Sequence, residues 1–181
     1  MLAREGRAGA GVKMDALIKV LVSSCLLGEL VRYHGGDALC SHEIMERWKA
    51  EGRLVPICPE TAAGLPIPRP PAEIVGGDGA EVLRGKAYVG DSTGVDVTAA
   101  FLRGARVVLT AAVGHGVRLA VLKDGSPSCG STYIFDGSFR GQRDVGRGVT
   151  AALLSEAGIR VFSDLQIAEA AAYVAELEAA E

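Results

Sequence analysis

Short β-branched runs separated by helical periodicity are what most constrain this 181-residue chain. Ile18 to Val22, Arg53 to Ile57, Val117 to Leu122 and Gly158 to Phe162 each read as a strand. Pro56 weakens the second, because a proline cannot donate to an interior ladder. Apolar residues at three-to-four spacing fill the intervals. Ser41 is placed to cap a helix carrying Ile44, Met45 and Trp48 that stops at Gly52. Asp96 is placed to cap a longer helix with Val97, Phe101, Ala105, Val108 and Ala112, ending near Gly114. Val149, Ala152 and Leu153 line a third, with Gly158 at its C-terminal end. Ser163 or Asp164 opens a last helix rich in Ala and Glu. Strands alternating with helices predict βαβ units, hence an α/β fold with a parallel sheet flanked by helices. Right-handed crossovers collect the C-terminal ends of such strands at one edge, where α/β proteins place ligands. Residues 59–95 interrupt the pattern with Pro59, Pro66, Pro68, Pro70, Pro71 and Gly76-Gly77-Asp78-Gly79, and read as a long functional loop.

The cysteines fall at that edge. Cys25 follows the first strand, Cys58 the second, and Cys129 comes a short loop after the third. They stand 33 and then 71 positions apart, so no local motif joins them. Four cysteines in such a chain are too few for a disulfide scaffold and suit metal ligands or reactive thiols in a reducing compartment. Each of the three runs into a turn: Leu26-Leu27-Gly28, Pro59-Glu60 and Gly130-Ser131. Such turns aim backbone N–H groups at an anion or at cluster sulfurs.

Three thiolates suit zinc with a fourth ligand or water. They also suit an iron–sulfur cubane that usually takes four cysteines, which leaves one iron open to soft sulfur donors. Three unconnected core cysteines are the plain alternative. Cys40, ahead of the Ser41 helix, reads as a helix-entry residue rather than a fourth ligand. Glu60 follows Cys58 by two, and Ser126 and Ser128 flank Pro127 before Cys129. These are groups for proton transfer and water orientation, or else ordinary turn caps. His34, His42 and His115 show no metal-ligand spacing, and Gly146-Arg147-Gly148 reads as a helix-entry turn rather than a phosphate loop.

A net charge of −3 lacks the basic footprint of a dedicated nucleic-acid binder. No apolar stretch is long enough to span a bilayer. Residues 1–15 read as a flexible extension and 16–181 as one domain. The basic start and the apolar run before Cys25 imitate a lipoprotein leader, but Lys19 interrupts the run, and a cytoplasmic protein is expected.

Four blocks carry a family resemblance. Ser23-Ser24-Cys25-Leu26-Leu27-Gly28 with Arg32-Tyr33 and Gly35-Gly36 is the first. The second, and most specific, runs from Cys58-Pro59-Glu60 through Gly64, Pro66 and Pro68-Arg69 to Pro71-Ala72-Glu73-Ile74. Ser126-Pro127-Ser128-Cys129-Gly130 with Tyr133-Ile134-Phe135-Asp136-Gly137 is the third, and Gly148 to Leu154 the fourth. Together they resemble the bacterial thiouracil desulfidase family from about Ile18 to about Ile167.

The resemblance implies a Rossmann-like α/β domain and a [4Fe–4S] cluster held by Cys25, Cys58 and Cys129, with the fourth iron free to take a thione sulfur. It implies Glu60 and Ser126 as catalytic residues. Tyr33, Arg69 and Ser128 are expected to shape the substrate pocket, with a structural role in the Pro-rich loop the alternative for Arg69. The implied reaction is non-redox: thiouracil becomes uracil and hydrogen sulfide departs. The expected partner is a small thiolated pyrimidine. The acidic balance disfavours large RNA, with thiolated tRNA the remaining nucleic-acid option. The rival reading is a non-catalytic, cysteine-bound metal or iron–sulfur module that stabilises the fold or senses redox state.

Overall fold

The computed structural model describes residues 17–180, so the extension expected over residues 1–15 lies outside the described residues. In chain order the elements are β1 (Val20–Ser23), α1 (Glu43–Ala50), β2 (Leu54–Ile57), α2 (Pro59–Ala62), β3 (Ala72–Val75), α3 (Gly79–Leu83) and β4 (Tyr88–Asp91). Then follow α4 (Thr98–Gly114), β5 (Leu119–Leu122), β6 (Tyr133–Phe135), β7 (Arg143–Val145), α5 (Val149–Glu156), β8 (Arg160–Ser163) and α6 (Ile167–Ala179).

The four expected strands form one parallel sheet in the order β2-β1-β5-β8. Val20 lies opposite both Leu54 and Leu119, which makes β1 a central strand. Central strands of a parallel sheet are covered on both faces, hence the unbroken apolar runs of β1 and β5. Side-chain alternation then sorts the core. Val20, Val22, Leu119 and Val121 pack with Met45, Trp48, Ile167 and Val174 of α1 and α6. Leu21, Ala120 and Leu122 point the other way, onto Val108 and Ala112 of α4 and Ala151 and Leu154 of α5. Pro56 is accommodated because β2 is an edge strand. Cleavage ahead of Cys25, as in lipoprotein maturation, would remove central strand β1 from this sheet. Among the described residues no helix is long and apolar enough to cross a membrane.

Three expectations need correcting. Helix α1 is capped by His42, whose Nδ1 accepts from Ile44 N at 3.2 Å, not by Ser41. Helix α6 starts only at Ile167, because Gln166 Oε1 accepts from Ser163 N, Ser163 Oγ accepts from Leu165 N, and Asp164 is drawn back to Lys123 and the Asp124 N–H. Residues 59–95 are not a loop. They fold into α2, α3 and the antiparallel pair β3–β4, with an Asp78–Glu81 capping box opening α3. Ile74, Val82 and Val89 bury this unit against Phe101 and Ala105 of α4 and Val149 of α5. A second antiparallel pair, β6–β7, was also not foreseen.

Candidate active site

Each cysteine is set by a different local device at the C-terminal edge of the sheet. Cys25 lies in a single 3-10 turn, Ser24–Leu27, closed by Gly28 at φ 89°. Its carbonyl accepts from Ala38 N at 3.0 Å, and Leu26 O accepts from Cys40 N at 2.9 Å, which ties the following segment down. Cys58 is the N-cap of α2, with Pro59 as the first helical residue. Behind it α4 comes so close that a Cβ on Gly104 would sit 2.2 Å from Pro59 O.

Cys129 sits in a tight turn organised by Ser126, whose Oγ accepts from Ser128 N and Cys129 N, each at 3.1 Å. The buried carboxylate of Asp124 fastens the far side. Its Oδ1 accepts from Ser131 N (2.9 Å), Thr132 N (3.1 Å), Gly125 N (3.2 Å) and Tyr133 N (3.3 Å), and Thr132 Oγ1 donates to Oδ2. Helix α5 closes the turn from behind: Val149 N donates to Pro127 O at 2.8 Å and Thr150 N to Ser128 O at 2.9 Å. A Cβ on Gly148 would stand 2.5 Å from Ser128 O, so the Gly146-Arg147-Gly148 turn is spent on this close backbone approach.

Cys25, Cys58 and Cys129 line one cavity of about 400 Å³ together with Glu60, Ser126, Tyr33 and Arg69. Burial, followed by the neighbouring Cys58, pushes the Cys25 thiol up to about 11, while Arg32 and Lys123 pull against the shift. Cys129 is likewise raised, first by burial; the Ser23 hydroxyl beside it opposes this, and Cys58 and Cys25 add to it. The three sulfurs therefore lie within one another's field. Yet among the described residues no three His, Cys, Asp or Glu side chains gather tightly enough for one metal ion. Zinc would need its sulfurs at about 2.3 Å from a single centre. Three thiol donors on one cavity suit a sulfur-preferring group.

Residues 20–166 match the family described as 2-thiouracil desulfurase. The chain belongs to that family. Bacillus subtilis (strain 168) uncharacterized protein YbbK is 43% identical over 148 residues, which cover 82% of this chain and 97% of that protein. A solved structure titled [4Fe-4S]-dependent thiouracil desulfidase TudS is 44% identical, with a TM-score of 0.80 over 87% of this chain and 98% of that one.

Within this desulfurase-family chain, Glu60 lies in the first turn of α2 and lines the cavity. Its Oε2 accepts from Arg69 Nε at 2.6 Å, and Arg69 also donates to Val31 O at 2.9 Å and Pro66 O at 3.2 Å. Oε1 of Glu60 takes no hydrogen bond from any described residue. Tyr33 stands at the rim, 41% exposed, and its carbonyl accepts from Arg69 N at 2.8 Å.

Ser128 is the one expected site residue that does not reach the cavity. It is buried, with Oγ 2.8 Å from Thr150 Oγ1 of α5. Cys40 is half-buried against the α1–α6 side of the core and does not line the cavity either. Sequence reading passed over Ser23, Arg32, Glu73, Lys123 and Asp124, all of which line the cavity. Ser23 and Lys123-Asp124 had a usable signal, since they end strands β1 and β5 at the ligand edge.

Proposed function

We propose that this chain is a desulfidase that replaces the sulfur of a thiolated pyrimidine with oxygen, turning thiouracil into uracil and releasing hydrogen sulfide. The observation that carries the reading is the gathering of three soft thiol donors, a carboxylate and a hydroxyl around one cavity. The donor set fits the cofactor: all three donors are thiols on one cavity, and Arg32 and Lys123 stand near Cys25 to offset thiolate charge. Cys25, Cys58 and Cys129 would hold a [4Fe–4S] cluster, which when bound would supply a Lewis acid with affinity for the thione sulfur.

The chain's own groups supply the rest. Arg69 holds Oε2 of Glu60, so Oε1 is the oxygen available to take a proton from the attacking water. The Ser126 oxygen is committed to two backbone N–H groups, which directs its own O–H outward as a donor that orients water at the ring carbon. One water enters and one hydrogen sulfide leaves, so no electron acceptor is required. The free thiols support a reducing compartment, and we place the protein in the cytoplasm.

The test is purification without oxygen, iron and sulfide analysis, and an assay of sulfide release from 2-thiouracil. A brown, iron-loaded protein that releases sulfide is expected. Cys58→Ala should lose colour and turnover together, whereas Glu60→Ala should keep the colour and lose turnover. A fully loaded protein that releases no sulfide from any thiolated pyrimidine points to the non-catalytic module instead.

A further inference from the structure

Three carboxylates line the cavity, and they are not equivalent. Glu60 is paired with Arg69. Asp124 is saturated by its own loop. Glu73 is neither. It projects from β3 on the face opposite Ile74, which is buried in the core between β3–β4 and α4. Glu73 is only 9% exposed, and its Oε2 accepts a single bond, from Phe139 N at 3.0 Å. Oε1 takes no hydrogen bond and Glu73 forms no ion pair with any described residue. Nor is Oε1 sealed off, because the only fully buried side-chain oxygen without a partner among the described residues is Ser131 Oγ. A mostly buried carboxylate oxygen that opens only to a ligand cavity is hydrated while the cavity is empty, and needs a donor from the ligand that displaces that water.

A thiolated pyrimidine brings such a donor. In 2-thiouracil the thiocarbonyl carbon is flanked by ring N–H groups, whereas the thione sulfur and ring carbonyl are acceptors that a carboxylate repels. We propose that Glu73 is a specificity-determining residue whose Oε1 accepts a ring N–H of the thiolated base, orienting the ring between the cysteines and Glu60. This rests on the desulfidase reading above and adds a requirement to it: the substrate must keep a free N–H at the ring position that Glu73 reads. A site built to bond a donor rejects the analogue that lacks it far more strongly than an apolar pocket rejects extra bulk.

The test uses anaerobically purified, iron-loaded protein as wild type, Glu73→Ala and Glu73→Gln, with 2-thiouracil, 1-methyl-2-thiouracil and 3-methyl-2-thiouracil as substrates. The variants are expected to keep wild-type iron content and visible absorbance. Glu73→Ala should lower kcat/KM for 2-thiouracil by about 10- to 100-fold, mostly through KM, the range for a bond to a charged acceptor. Glu73→Gln keeps the volume, guards against a collapsed site and should lose less. One of the two methyl analogues should be poor on the wild type and lose little more in Glu73→Ala. If that analogue is the 1-methyl compound, Glu73 selects the free base. If it is the 3-methyl compound, nucleosides remain acceptable.

Calorimetric binding of uracil to the same proteins reads the contact without turnover, and Glu73→Ala should weaken it by a similar factor. An equal loss for 2-thiouracil and both methyl analogues, or unchanged uracil binding, overturns the assignment. A loaded wild type that turns over none of the three overturns the desulfidase reading instead, and the uracil titration still decides the role of Glu73.

Discussion

Nε of Arg69 donates to Oε2 of Glu60 at 2.6 Å, with the arginine side chain 6% exposed and the glutamate 16%. The same guanidinium reaches the carbonyls of Val31 and Pro66, so one side chain ties the segment after Cys25, the Pro-rich segment and the proposed base into one rigid unit. Its role is geometric, because a buried ion pair gives little net stability but leaves an expensive orphan when one partner goes. Arg69→Ala should keep iron content and lower kcat by about 10- to 100-fold, the scale of a base displaced by roughly an ångström. Arg69→Lys should recover only part of this, since an ammonium cannot serve three acceptors in a fixed plane. Steady-state sulfide release normalised to iron is the measurement, and wild-type kcat in Arg69→Ala would rule the role out.

Asp124 stabilises the turn that presents Cys129. Burial alone would raise its pKa, but the bonds from Thr132, Ser131 and Tyr133 outweigh burial and hold it below the usual carboxylate value. A group depressed in the folded state stabilises fully above its unfolded pKa, about 3.9 for aspartate, and loses that contribution as pH falls through the lower folded value. Asp124→Asn should therefore be about 2–3 kcal/mol less stable at pH 7. The gap to wild type should narrow below about pH 4. Denaturant melts between pH 3 and 7 check this, and a gap that stays constant across the range contradicts it.

Gly104 tests whether α4 positions the second cysteine. Alanine is the better helix former by about 1 kcal/mol. Its methyl would nevertheless land 2.2 Å from Pro59 O, the residue between Cys58 and Glu60. Overpacking of this kind costs about 1–3 kcal/mol. Gly104→Ala is expected to lower the melting temperature and the iron bound per chain together. A variant with undiminished iron and stability would mean the helix yields instead.

Ser128 separates a cavity role from a scaffold role. Its hydroxyl bonds Thr150 in the interior. Ser128→Ala should cost about 1–2 kcal/mol by leaving a buried hydroxyl without its partner. KM for 2-thiouracil should stay within about twofold, because no cavity contact is lost. A large rise in KM at unchanged stability would return Ser128 to the substrate.

Much of the framework was readable locally. The β-branched runs around Val20, Val55, Val121 and Val161 are the four strands, and the stripe Phe101, Ala105, Val108, Ala112 is the buried face of α4. The antiparallel pairs were not readable: Ala72–Val75 and Tyr88–Asp91 are four-residue strands containing Ala, Glu, Gly and Asp, and only packing against Phe101 and Val149 makes them strands.

The chain alone determined that Cys25, Cys58 and Cys129 end or follow strands, and parallel topology obliges such positions to share an edge whatever their separation in sequence. Which neighbouring polar groups face the cavity was decided only in three dimensions. Ser126 and Ser128 are two residues apart, yet one hydroxyl lines the cavity and the other is drawn to Thr150. Glu60 and Asp124 find their partners through Arg69 and the Ser131–Tyr133 backbone, while Glu73 keeps an oxygen free. Periodicity encodes burial through local backbone geometry, but the direction of a polar side chain depends on which distant donor folding brings within about 3 Å.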